Sequence, residues 1–72
     1  MSIRRMKVSA EAIKNEIRSR GLKQWWVAEG VGIHRTTLRR WINGEIVSVQ
    51  ENRLQVLSKL LSVEPDRLMR RG

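Results

Sequence analysis

Apolar positions recur at helical spacing in successive short stretches of the chain. Ala10, Ile13 and Ile17 share one face of a helix that opens at Ser9 and runs to about Arg20. Ser9 supplies a capping hydroxyl and Glu11 an acid in the first turn, where the helix dipole favours one. Gly21 fits the left-handed position that stops a helix, and Leu22 can fold back on the apolar face. Val27, Ala28 and Val31 mark a second helix, over about Lys23 to Gly30, with Lys23 a poor cap. Leu38, Trp41 and Ile42 form the inner face of a third, from His34 or Arg35 to the stop at Asn43-Gly44. Ser48 and Glu51 stand as a capping box before a fourth helix, whose Leu54, Leu57, Ser58 and Leu61 recur at core spacing. Val56 and Leu60 fall to the side of that stripe. After a break at Ser62-Val63, Pro65 suits the first position of a last short helix, with Asp66 in its first turn and Leu68 and Met69 closing the core. Met1 to Val8 shows no periodicity.

These elements predict an all-α, compact five-helix domain with no strand. Residues 1–8 form a flexible basic N-terminal arm, residues 9–69 the domain, and residues 70–72 a basic tail. Ile33 and Val63 join the expected core.

The link between the second and third helices is the most informative stretch. Gly30, Val31, Gly32 and Ile33 leave room for only a tight turn, with Gly32 as its positive-φ residue. Helices joined this closely cross steeply, which is helix-turn-helix geometry. On the third helix Thr36, Arg40 and Asn43 lie opposite the apolar face, with Arg35 and Arg39 on one flank and Thr37 on the other. No acid occurs between Glu29 and Glu45. An outer face that is basic and hydroxylic, with no acidic partners, is suited to an anionic surface.

Composition narrows the partner. Fifteen Lys and Arg face seven Asp and Glu, a net charge of +8 on 72 residues. Such a surface attracts a polyanion, nucleic acid first and anionic lipid second. The apolar residues are consumed by mutually packing helices, which disfavours a membrane-surface peptide. No aromatic residues interleave with basic ones on a strand, which disfavours sheet-based RNA binding. Without cysteine there is no disulfide scaffold and no zinc thiolate site, and the expected setting is reducing. His34 is the sole histidine, so neither a histidine metal cluster nor a Ser/His/acid set can be assembled. Neither an enzyme nor a cofactor is expected. The opening MSIRRMK precedes no long apolar run, and nothing approaches a membrane span, so the reading is a cytoplasmic protein, bacterial or a phage product in its host.

Gln24, Ala28, Gly32, Ile33, Leu38 and Trp41 resemble the core motif of the phage-repressor-like helix-turn-helix family, the type of the Cro and lambda repressors. The likeness extends from about Ala10 to Met69. It takes in Arg20-Gly21-Leu22 at the end of helix one, Asn43-Gly44 at the end of helix three, and Leu54 to Val63 with Leu68 for helices four and five. It implies a DNA-binding transcriptional regulator, often dimeric on a partly symmetric operator. Lys23 and His34 depart from the pattern, standing where Ser or Thr usually caps. The Glu45 to Gln50 loop is about one residue longer than the common form and lacks its proline. Trp25 and Trp26 replace small or polar residues.

The expected partner is double-stranded DNA, with a homodimer forming at least on DNA. Arg35, Thr36, Arg39 and Arg40 are the candidates for reading bases. An arginine can donate twice to guanine O6 and N7, and a threonine can meet a thymine methyl. Lys23, Gln24, His34, Thr37 and Asn43, with Arg4, Arg5 and Lys7 of the arm, are candidates for the backbone, where contacts set register rather than sequence choice. Trp41 belongs to the core. Two adjacent tryptophans on one short helix cannot both be buried: Trp26 is expected to pack at the core margin, and Trp25 stays open. Trp25, Val56 and Leu60 are candidates for a protein contact. A repressor is the first reading. An excisionase or other architectural DNA-binding factor, and an antitoxin-type regulator that also binds a protein, are the alternatives.

Overall fold

A computed structural model describes residues 4–70. The chain runs β1 (Arg5–Lys7), α1 (Ala10–Ser19), α2 (Gln24–Val31), α3 (Arg35–Ile42), β2 (Ser48–Gln50) and α4 (Glu51–Leu61), and ends in a 3-10 helix at Pro65–Leu68. The first three helices form where the apolar spacing places them. Ser9 caps α1, its Oγ accepting the Ala12 N–H at 3.2 Å. Gly21 takes φ +65 beyond the end of α1, and Leu22 packs partly buried against the core.

The core fills from every helix. Ile13 and Ile17 of α1, Val27, Ala28 and Val31 of α2, Leu38, Trp41 and Ile42 of α3, and Leu54, Leu57 and Leu61 of α4 are buried, with Leu68 beneath them. Buried Ser58 sends its hydroxyl to the Gln55 carbonyl at 2.8 Å, so its polarity is satisfied within the helix. α2 meets α4 closely at Gly30, where a Cβ would stand 2.9 Å from Leu60 Cδ2. Ile33 and Val63 are only partly buried and pack at the core's margin.

Four expectations are corrected. The N-terminal stretch is no free arm over its described part: β1 pairs antiparallel with β2, Met6 opposite Val49, and residues 1–3 lie outside the described residues. The alternation is present, with Met6 and Val8 facing inward and Arg5 and Lys7 outward, but four residues are too few to display a period. Val8 and Val49 are thereby buried core residues. Second, Ser48 caps nothing. It lies in β2, and α4 opens at Gln50 without a side-chain cap. Glu51 instead faces Arg4 at 3.7 Å, a surface pair worth little in water. Third, the last element is a single 3-10 turn, so the domain has four α-helices rather than five. Its continuation is blocked because Met69 turns extended, and Val8 bridges to it. Fourth, Arg70 is not free tail. Its N–H donates to the Lys7 carbonyl at 3.0 Å, while residues 71–72 lie outside the described residues.

Two stability predictions arise from α3. Trp41 is 4% exposed, and Trp41→Ala should lose about 3–5 kcal/mol in a denaturant titration, much of what a small domain has. His34→Ala, which removes the ring that caps α3, should lose about 1 kcal/mol, and His34→Ser should recover most of it in the same assay.

Candidate nucleic-acid interface

α3 is eight residues long and is divided lengthwise. At a spacing of 3.6 residues Leu38, Trp41 and Ile42 turn into the core, which forces Arg35, Thr36, Arg39 and Arg40 outward, and all four are exposed. Among the described residues the ion pairs are Arg4 with Glu51 and Arg20 with Glu16. The three arginines of α3 are therefore without an acidic partner there. Their charges are fully available to a ligand.

The entry to α3 is built unusually. His34 holds the N-cap position, and its Nδ1 accepts the Thr36 N–H at 3.1 Å. A ring nitrogen thus does what a hydroxyl does in the common pattern. With Nδ1 as acceptor, the neutral ring carries its proton on Nε2, which leaves a donor on an exposed residue. At the other joint Gly32 takes φ +85 and caps α2, its N–H returning to Ala28 and Glu29. The turn from α2 to α3 thus takes only Gly32, Ile33 and His34.

Two basic grooves border α3. One, of about 360 Å³, is lined by Lys14 and Arg18 of α1, by Gln24 at the start of α2, and by Ile42 and Asn43 at the end of α3. It brings Gln24 and Asn43 together, two candidates 19 residues apart in the chain. It adds Lys14 and Arg18, which the sequence reading gave no role. Their one signal was spacing on α1, four residues apart and off its apolar face. The second groove, of about 210 Å³, is lined by Arg5, Thr37, Ser48, Gln50 and Arg53 among others. It places Arg5 beside Thr37 of α3.

Other candidates are not gathered so simply. Lys23 is exposed and caps α2 without a side-chain bond. Arg4 leans on Glu51. The Arg5 guanidinium donates to Ser48 Oγ at 3.3 Å and to the Ser48 carbonyl at 3.0 Å, which holds it at the β2 edge. Lys7 is exposed in β1. Trp25 is 53% exposed and Trp26 44%. The packing expected for Trp26 is thus incomplete, because the inner face of this eight-residue helix is already taken by Val27, Ala28 and Val31. Val56 is exposed, while Leu60 is partly buried on Gly30. No group of three or more His, Cys, Asp or Glu that could hold a metal occurs among the described residues. No helix among them is long and apolar enough to cross a membrane.

Comparison with known proteins bears on the fold and the family. No curated protein matches the sequence significantly. Among solved structures, the P22 c2 repressor protein in complex with a synthetic operator superposes with a TM-score of 0.79 at 23% identity, over 90% of this chain and 97% of that one. The restriction-modification controller protein C.AhdI from Aeromonas hydrophila gives 0.75 at 22% identity, over 83% and 89%. PhpD gives 0.73 at 21% identity over 93% of this chain, which spans only 14% of PhpD. These likenesses show the fold. A helix-turn-helix family model matches residues 13–68, most of the chain. The chain belongs to the phage-repressor-like helix-turn-helix family of DNA-binding transcription regulators.

Proposed function

We propose that the protein is a sequence-specific regulator, acting as a repressor, that inserts α3 in the major groove of double-stranded DNA. The observation that carries this is the outer face of α3: exposed, basic, free of acids and without an ion-pair partner among the described residues. Arg35, Thr36, Arg39 and Arg40 read base edges, each well-placed bidentate arginine giving roughly 1–3 kcal/mol of discrimination. Gln24, Asn43, Lys14 and Arg18 take phosphates on one flank, and Thr37 and Arg5 on the other. Lys23, Arg4 and Lys7 add attraction, and the Nε2–H of His34 donates to the backbone beside the helix start. The likeness in fold to a repressor in complex with a synthetic operator supports this mode of binding.

The active form is a homodimer on an operator with two inverted half-sites, as two-fold proteins of this geometry require. Trp25, and separately the patch at Val56 and Leu60, serve protein contact. The exposure of both Trp25 and Trp26 favours one second reading, a regulator that also docks a protein partner there.

Selection of bound duplexes from a random pool tests the assignment. Two inverted half-sites are expected, and a pool that never converges would sink it. Arg40→Ala should retain its helical circular dichroism yet lose roughly 5- to 150-fold in preference for the selected duplex, the range set by one arginine–guanine pair. Affinity measured across a salt series should fall steeply and linearly on a log–log plot, because phosphate contacts release counterions.

A further inference from the structure

Arg53, the third residue of α4, reaches across to the turn between α2 and α3. Its Nη1 group donates to the Val31 carbonyl at 3.0 Å and to the Gly32 carbonyl at 3.1 Å. These are the last carbonyl of α2 and that of its cap residue. The amides that close this end, Gly32 N–H and Ile33 N–H, return instead to Ala28 and Glu29. The two carbonyls are thus open acceptors at the negative end of a helix. α2 has no basic residue in its last turn, and Glu29 adds a negative charge close by. The cation that this end lacks in its own sequence is supplied by α4.

The consequence is positional. Val31 and Gly32 stand immediately before the short link into α3, so fixing their carbonyls fixes the direction in which α3 departs. A Cβ at Gly32 would lie 2.9 Å from Arg53 Nη1. Glycine at the turn therefore provides both the positive φ and the space for the guanidinium. Arg53 also lines the same groove as Thr37, on the side of α3 away from Asn43.

We propose that Arg53 is a positioning residue for DNA reading: it latches the α2–α3 turn to α4 and so sets the pose in which α3 presents Arg40 and Thr36. It acts through main-chain carbonyls and touches no base. The proposal rests on α3 being the reading element.

The test compares the parent with Arg53→Met, which keeps the apolar stem without donors, and Arg53→Lys, which restores donors to the carbonyls. The probes are the selected duplex and a scrambled duplex of equal composition, titrated at several salt concentrations below the melting point of every variant. R53M should bind the selected duplex about tenfold more weakly, the effect of losing a charge-assisted bond. Its selected-over-scrambled ratio should fall by a similar factor while its salt slope stays unchanged, and R53K should regain most of both losses. If R53M does not fold, Arg53→Gln, polar and too short to span both carbonyls, takes its place with the same expectations. A folded variant with the parent's ratio overturns the proposal, leaving Arg53 a role in stability alone. So does an equal loss on both duplexes with a salt slope reduced by about one, which marks a phosphate contact. Failure of the reading itself looks different: the parent would then show no preference between the two duplexes.

Discussion

Burial of Leu38, Trp41 and Ile42 is the interaction on which the rest of this structure depends. α3 has eight residues, and isolated helices shorter than about 12–15 residues are marginal in water. Its helicity is therefore borrowed from the core. Nothing on its outer side helps: three arginines within six residues repel one another, and no acid in the helix offsets them. The inner face must hold the helix against that repulsion. A bound polyanion would relieve that repulsion.

The elements around α3 are arranged to keep it in place. α2 crosses beneath it through the Gly32 turn, and α4 backs α2 at Gly30 and Leu60. The strand pair closes the far side. β2 follows α3 directly, and its pairing with β1 ties that loop to the N-terminal segment. Val8 then passes the tie to the C-terminal segment through Met69, with the Ser9 N–H bonded to the Leu68 carbonyl at 2.8 Å. Three segments distant in sequence thus meet around Val8. The loop that follows α3 is braced by backbone pairing.

Much of the fold, and which residues of α3 line the candidate site, was legible in the sequence, and the reasons differ by residue. The α3 face was readable because apolar period and charge segregation agree over two turns. Ser9, Gly21 and Gly32 were readable because capping and positive φ are local demands. The capping box at Ser48 and Glu51 was misread because a local pattern lost to a distant one: Ser48 pairs with Lys7, 41 residues earlier. His34 was identified as out of place for a cap, but its ring nitrogen fills that role. Lys14, Arg18 and Arg53 left no clear signal, since each is an ordinary basic residue off the apolar stripe of its own helix and acquires its neighbours only when the helices pack.

The sequence by itself determined the helix-turn-helix, its family, and which residues of α3 face outward. Those features follow from spacing within a few helical turns, where period, caps and sterics act locally. Only the tertiary structure decided that the basic N-terminal stretch is a strand, that α3 is bordered by two basic grooves, and that the turn is held by a guanidinium from α4. Each of these joins groups that lie on different elements of the chain, 21 residues apart for Arg53 and Gly32 and 41 for Lys7 and Ser48. No periodicity records such a pairing, because its free energy exists only once both partners have been brought together by the core.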